Sequence, residues 1–166
     1  MYSGSVFHNL SLVHALVALA AAASIYLVIR ELRRTYVSQW RLFAPGTMAL
    51  VAATGLMLLQ VGGGQARWPF AVAMAVGATM GIFRGLMIDV HHDLYQPQII
   101  ISRAARVSLL CVALAVGGCV AAEIAGAFAS PALEKVRLWA ALIAVTCAVA
   151  MLGRALMLTI RLHRHG

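Results

Sequence analysis

The sequence predicts an all-α integral membrane protein in which five helices form one domain over residues 1–166. Composition is the first observation: 63% of the residues are hydrophobic and 11% are charged, whereas soluble domains are nearer half apolar and a quarter charged. The second observation is a series of five long apolar segments, and the third is the concentration of basic residues in alternate connections. The lipid bilayer is therefore the expected solvent.

Each apolar segment has roughly the 20 residues that a helix needs to cross the hydrocarbon core. None shows the strict alternation of a barrel strand, and only helices or closed barrels satisfy their backbone in lipid, so helices are predicted. The predicted spans are about 8–30, 42–62, 70–90, 104–128 and 138–160.

In chain order, each span has a distinguishing feature. The first has no Lys or Arg before its apolar run, which predicts a retained span and not a signal peptide. The second carries Pro45 near its start, and the third carries Arg84 among regularly spaced glycines. The fourth contains Glu123 and the fifth contains Arg154. The connections GGGQARWP and ASPALEKVR hold the Gly, Pro and Ser that stop helices.

Basic residues predict the orientation, because cytoplasmic loops carry an excess of Lys and Arg. Eight arginines fall on one predicted side: Arg30, Arg33, Arg34, Arg41, Arg103, Arg106, Arg161 and Arg164. Three basic residues fall on the other: Arg67, Lys135 and Arg137. The N-terminus is therefore predicted outside and the C-terminus inside, in a multi-pass protein of the bacterial inner (cytoplasmic) membrane. Tryptophans at the predicted interfaces agree with this arrangement: Trp40, Trp68 and Trp139.

Glycines recur on one face of two predicted helices. Gly77, Gly81 and Gly85 lie four residues apart, and Gly118 and Gly126 form a similar stripe with Ala122 between them. Small residues let membrane helices approach closely and gain dispersion contacts. We predict packing within one subunit, with a homodimer seam as the alternative.

Ionisable groups inside a membrane are costly, so each needs a partner or a function. Glu123 and His14 both fall in the predicted outer half, which predicts a hydrogen-bonded pair that is structural or handles protons. Arg84 and Arg154 both fall in the predicted inner half, where acids are few. They either extend to the headgroups or form a pocket for an anionic lipid headgroup.

The segment DVHHD offers metal ligands at Asp89, His91, His92 and Asp93. Its spacing matches no standard zinc signature, so these are weak candidates and a hydrated helix end is the favoured interpretation. Haem requires two histidines at one depth, and His14 is predicted at the opposite face from His91 and His92. No cofactor is therefore predicted, and haem or a metal stays the alternative.

Catalysis finds little support in the sequence. The three cysteines lie in apolar stretches without a CxxC pair, which is typical of buried and inert thiols: Cys111, Cys119 and Cys147. No nucleophile has a base at a matching depth, so we lean towards a protein that is not an enzyme.

Pro45, the span GATMGIFRG, the segment QIIISRAARVSLL and the late GRALMLTIRL resemble the CcdC-like group of small bacterial multi-span membrane proteins. The resemblance covers about residues 42–162. In that group a hairpin-like segment follows a glycine-rich span, and HHDLYQPQIIISR occupies this place, without the acidic and glycine-rich turn often seen there. Gly153 and Arg154 match its late arginine. The group is associated with cytochrome c biogenesis or has no settled activity, so the resemblance implies a membrane protein without a catalytic motif.

These observations leave three hypotheses for function. The leading one is an accessory or assembly protein that binds a partner membrane protein, a second copy of itself or an anionic lipid. The second is a small transporter or channel that uses Glu123 and His14. The third is a membrane redox protein carrying haem or a metal. Nucleic acid is not expected, because the basic residues flank apolar spans.

Overall fold

The computed structural model describes residues 12–33, 39–88, 90–92, 99–128 and 134–164. Five of its helices are long and apolar enough to cross a membrane, which confirms the prediction of five membrane-spanning segments by length and composition. The helices are α1 (Leu12–Leu32), α2 (Gln39–Gly62), α3 (Trp68–Met87), α4 (Arg103–Phe128) and α5 (Glu134–Arg164).

A short antiparallel hairpin connects α3 to α4. Its strands are β1 (Val90–His92) and β2 (Ile99–Ile101), with His91 opposite Ile100. The predicted third span ran to residue 90, but the helix ends at Met87 because Ile88 takes an extended backbone, with φ −80° and ψ 122°.

Successive helices run in opposite directions, so α1, α3 and α5 are parallel to one another. Paired contacts show this: Ser24 on α1 bonds to Pro45 on α2, while a methyl group on Gly77 would meet Thr146 and one on Gly85 would meet Met157. We call the end of the bundle where α1 and α5 begin the amino end. The opposite end, which carries the hairpin and the end of α5, is the carboxy end.

Helix α5 is the centre of the bundle, because α2, α3 and α4 all pack against it. The core is rich in alanine, which lets the helices come close: Ala49, Ala52, Ala53, Ala113, Ala141, Ala144 and Ala148 are fully buried. This main core occupies the amino end and the middle. A second, smaller cluster lies at the carboxy end and consists of Leu42, Ile88, Ala155 and Leu158.

Helix α3 packs almost entirely against α5 within the described part of the chain. The glycines make this possible: a methyl group on Gly77 would lie 2.5 Å from the Thr146 carbonyl oxygen, and one on Gly81 would collide with Ala150. Arg161 on α5 donates from Nη1 to three carbonyl oxygens at the end of α3, at 2.8–3.0 Å. These bonds satisfy acceptors that a helix end leaves free.

Proline and glycine bring α2 close to its neighbours near the carboxy end. Pro45 lies inside α2 and is buried, and the Ser24 hydroxyl donates to its carbonyl oxygen at 2.9 Å. At Gly46 an added methyl group would lie 2.9 Å from the end of the Leu152 side chain, so the side chain of Leu152 would have to move to accommodate it. Pro45 and Gly46 therefore shape the contact between α2 and its neighbours near the carboxy end.

Candidate functional site

Two groups of buried polar side chains lie near opposite ends of the bundle. At the amino end, Glu123 on α4 is 1% exposed and accepts hydrogen bonds from two helices. Arg137 donates to Oε1 from Nε at 3.0 Å and from Nη2 at 2.5 Å, and Gln60 Nε2 donates to Oε2 at 3.0 Å. We call Glu123, Arg137 and Gln60 the Glu123 network.

Two partners of Glu123, Arg137 and Gln60, were not predicted from the sequence. His14 was expected to pair with this carboxylate, but both of its oxygens are bonded to Arg137 and Gln60. His14 is itself buried, in the first turn of α1 at the same end. The His14–Glu123 pair stays a prediction, whereas Arg137 was not expected as a partner because α5 begins at Glu134, four residues earlier than predicted. That extra turn places Arg137 on a helix beside α4.

At the carboxy end, Arg154 lies inside the bundle and does not extend to its surface. Its side chain is 4% exposed, and its Nε and Nη2 atoms make no hydrogen bond to any described residue. Buried N–H groups without acceptors are unfavourable, since they have lost their hydrogen bonds to water. Arg154 therefore differs from the arginine that snorkels to the headgroups.

Glu31 lies across from Arg154, at the end of α1. It is 8% exposed, and its Oε1 atom makes no hydrogen bond within the described residues. Arg154 and, more weakly, Arg106 attract its charge. An acid here was not expected, because the sequence places Glu31 in a basic loop. Helix α1 continues to Leu32 and carries Glu31 inward on the same face as Ser24 and Val28.

Two small cavities meet at Arg154. One cavity lies between α1, α2, α4 and α5 and has a volume of about 10 Å³. Its lining includes Glu31, Pro45 and Leu158. The second cavity lies between α3, α4 and α5 and has a volume of about 20 Å³. Its lining includes Arg84. Arg154, Leu109 and Met151 line both. Each cavity holds roughly one or two water-sized groups.

Arg84 lies at the exposed edge of the second cavity. Its side chain is exposed on α3, and its positive charge acts on Arg154. Because α3 makes almost no contact with α4 in the described chain, the space between them is a cleft with α5 as its floor. We call Arg84, Arg154 and Glu31 the Arg154 site. Its two arginines outnumber its one acid, and the buried Arg106 also acts on Glu31, so the surroundings of Arg154 carry an excess of positive charge.

The predicted glycine stripes have different surroundings. Gly77, Gly81 and Gly85 are buried against α5 of the same chain. Gly126 lies against the Arg137 side chain, whereas a methyl group on Gly118 would meet no atom within 4 Å. The stripe on α3 therefore packs within the subunit, and the one on α4 is divided between a buried and an open position.

The weak metal candidates cannot be placed as a group. Asp89 and Asp93 lie outside the described residues, and of His91 and His92 only the backbone, in strand β1, is described. Elsewhere in the described chain, no three His, Cys, Asp or Glu side chains come together.

Sequence reasoning missed Glu31, Gln60 and Arg137. A signal existed for two of them: Gln60 is the one polar amide late in an apolar span, and Glu31 falls seven residues after Ser24 on a continuing helix. Arg137 was assigned to a loop, where a basic residue needs no partner.

No protein-family model, no curated protein and no solved structure matches this chain. The functional argument therefore comes from the site itself.

Proposed function

We propose that this chain is a non-catalytic accessory protein of the bacterial inner membrane that binds the phosphate of an anionic lipid headgroup at the Arg154 site. One observation carries the proposal: a buried arginine with two unpaired donor atoms lines a small cavity together with the exposed Arg84. Guanidinium groups bind phosphate through paired hydrogen bonds.

The chemistry of the cleft fits this role better than transport. Glu123, the acid that a transporter would have used, is bonded to two partners from other helices and is 1% exposed. Such a closed network supports a structural role. The Arg154 site, in contrast, has donors and an acceptor that the described chain leaves unpaired.

The proposed orientation places the Arg154 site in the cytoplasmic leaflet. The carboxy end carries most of the described arginines, while the exposed Trp68 and Trp139 lie at the amino end. A reporter fused after Gly166 is expected to remain in the cytoplasm. Export of that reporter would reverse the leaflet, and with it the choice of lipids available to the site.

Lipid binding is tested by extracting the protein in native-membrane discs and measuring retained phospholipid by mass spectrometry. Arg84→Ala should lower retained anionic lipid about tenfold, since hydrogen bonds to charged groups contribute roughly 1.5–3 kcal/mol. Arg84 is exposed, so this variant should fold. Arg103→Ala is the matched control, because Arg103 is exposed at the same end and lines neither cavity. Equal lipid content in all three proteins would contradict the proposal.

We also propose that the chain belongs to the CcdC-like group that its sequence resembles. The hairpin after α3 and the buried late arginine, Arg154, are the two features that support it. A role in assembling another membrane protein would then depend on lipid bound at the Arg154 site. A partner protein extracted in the same discs would identify the protein that is assembled.

A further inference from the structure

Glu31 and Arg154 are buried charged residues whose unpaired atoms do not bond to each other. Glu31 is 8% exposed and Arg154 is 4% exposed. Within the described residues, Glu31 Oε1 has no donor, and Arg154 Nε and Nη2 have no acceptor. Arg154 nevertheless attracts the charge of Glu31, so the two side chains are near each other. Donors and an acceptor that are close but unbonded indicate a third group between them.

The cavity between α1, α2, α4 and α5 is the space available to such a group. Glu31 and Arg154 both line it, together with Leu42, Pro45 and Leu158 among others. Its volume is about 10 Å³, which corresponds to roughly one water molecule. Cavities that stay dry are lined by apolar groups, whereas this one is lined by two charged residues. Its size and polarity therefore suit one small polar molecule.

The charges around this cavity restrict the chemistry of its occupant. A cation would be attracted by Glu31 but repelled by Arg154, and the buried Arg106, which also acts on Glu31, adds to that repulsion. An anion would bind Arg154 but would be repelled by Glu31. A neutral molecule that both donates and accepts hydrogen bonds satisfies the two residues together, and water has this chemistry at the required size.

We propose that this cavity binds one water molecule, which donates to Glu31 and accepts from Arg154. The two residues then form an ion pair separated by a single water. A bridging water is nearly as favourable in enthalpy as a direct hydrogen bond, and it satisfies groups that are costly to bury unpaired. This water site is independent of the proposed lipid, because the described lining of the cavity does not include Arg84.

The experiment is radiolytic labelling of the full chain in native-membrane discs. A short X-ray pulse splits water into hydroxyl radicals, which oxidise the side chains next to each water, and mass spectrometry locates the oxidised residues. Leu158 lines the cavity and should be oxidised although it is 1% exposed. Leu56 is the matched control, because it is equally buried but is not among the described lining of either cavity, and it should stay unlabelled.

Two substitutions at Glu31 test its contact with the water. Glu31→Gln keeps a carbonyl oxygen that accepts from water, so the oxidation of Leu158 should persist. Glu31→Met replaces the acceptor with an apolar side chain, so the water and the oxidation of Leu158 should be lost. Leu56 reports folding in each variant, since unfolding would expose it to radicals. If Glu31→Met exposes Leu56, the comparison of Leu158 with Leu56 in wild-type protein and in Glu31→Gln decides the result.

The outcomes that overturn the inference are distinct from those that bear on lipid binding. Leu158 that stays unlabelled in wild-type protein, or is labelled no more than Leu56, would overturn it. Continued oxidation of Leu158 in a folded Glu31→Met variant would overturn it too. Arg84→Ala should leave Leu158 oxidised, and a loss there would assign the label to the other cavity. Lipid retention by that same variant tests the proposed function separately.

Discussion

The two buried carboxylates of this protein have opposite surroundings. Glu123, near the amino end, uses both oxygens in three hydrogen bonds from Arg137 and Gln60. Glu31, near the carboxy end, leaves one oxygen unpaired opposite an arginine that is also incompletely bonded. Both acids are less than 9% exposed, so burial alone does not separate them.

The difference lies in what surrounds each acid. The Glu123 network is complete within the described chain and joins α2, α4 and α5, so it stabilises the bundle and leaves no site for a ligand. The Arg154 site adjoins two cavities and divides the main core from the smaller cluster at the carboxy end. An incomplete polar group in such a position is retained at a cost in stability, which is typical of binding sites.

The largest effect is expected from Arg137→Met, which would break the closed network. It leaves the Glu123 carboxylate buried without its cation and should lower the free energy of unfolding by about 3–5 kcal/mol. Unfolding by SDS titration in mixed micelles measures this change. Lys135→Met is the control, because Lys135 is an exposed neighbour. A loss no greater than that of the control would mean that the network contributes little.

Removing the charge from each acid by the same isosteric change compares the two ends directly. Glu123→Gln weakens two charge-assisted bonds to Arg137 and should cost about 1.5–3 kcal/mol. Glu31→Gln removes no hydrogen bond at Oε1 but takes away the charge that attracts the buried Arg154, so it should cost about 1 kcal/mol, less than Glu123→Gln. Both are measured in the same SDS titration. Equal costs would show that the two acids have the same structural role.

A smaller effect is expected from Gly85→Ala, which acts on the carboxy end through the backbone. Its methyl group would lie 2.7 Å from Met157 Cβ and 3.2 Å from the Arg154 carbonyl oxygen, so α3 must move away from α5. The expected loss is about 1 kcal/mol, because overpacking is partly offset by the better helix propensity of alanine.

Gly118→Ala is the control for that variant, since its methyl group meets no atom within 4 Å. It should leave the free energy of unfolding unchanged or raise it slightly, because alanine has a better helix propensity than glycine. The Gly85 variant should also alter lipid retention at the cleft, whereas the Gly118 variant should not. A reversed order of the two stabilities would contradict the packing of α3 described above.

The five spans could be predicted because apolar length is a property of the chain alone. Pairing between helices could not, since it depends on where each helix ends and which face it turns inward. Helix α5 starts four residues before the predicted span and brings Arg137 to Glu123. Likewise, α1 continues past Arg30 and carries Glu31 to Arg154. An error of one helical turn at the end of a span therefore assigns a charged residue to a loop when that residue lies on the helix beside a buried partner.

The candidate site was partly predictable from the same sequence. Arg84 and Arg154 were placed at one level because they fall near the ends of parallel spans, and the structure places both in the lining of one cavity. Their different burial was not predictable, because it depends on α3 lying at the edge of the bundle while α5 lies at its centre.

The dependence of α3 on α5 has a consequence for how the protein is made. A ribosome releases α3 before α4 and α5, yet the described contacts of α3 are almost all with α5. The glycine face of α3 therefore stays unpacked until α5 is inserted, and Arg161 can bond to the end of α3 only after that. Helix α3 therefore gains its packing partner only when α5 has been synthesised, and any chain stopped before Glu134 leaves α3 without the helix against which it packs.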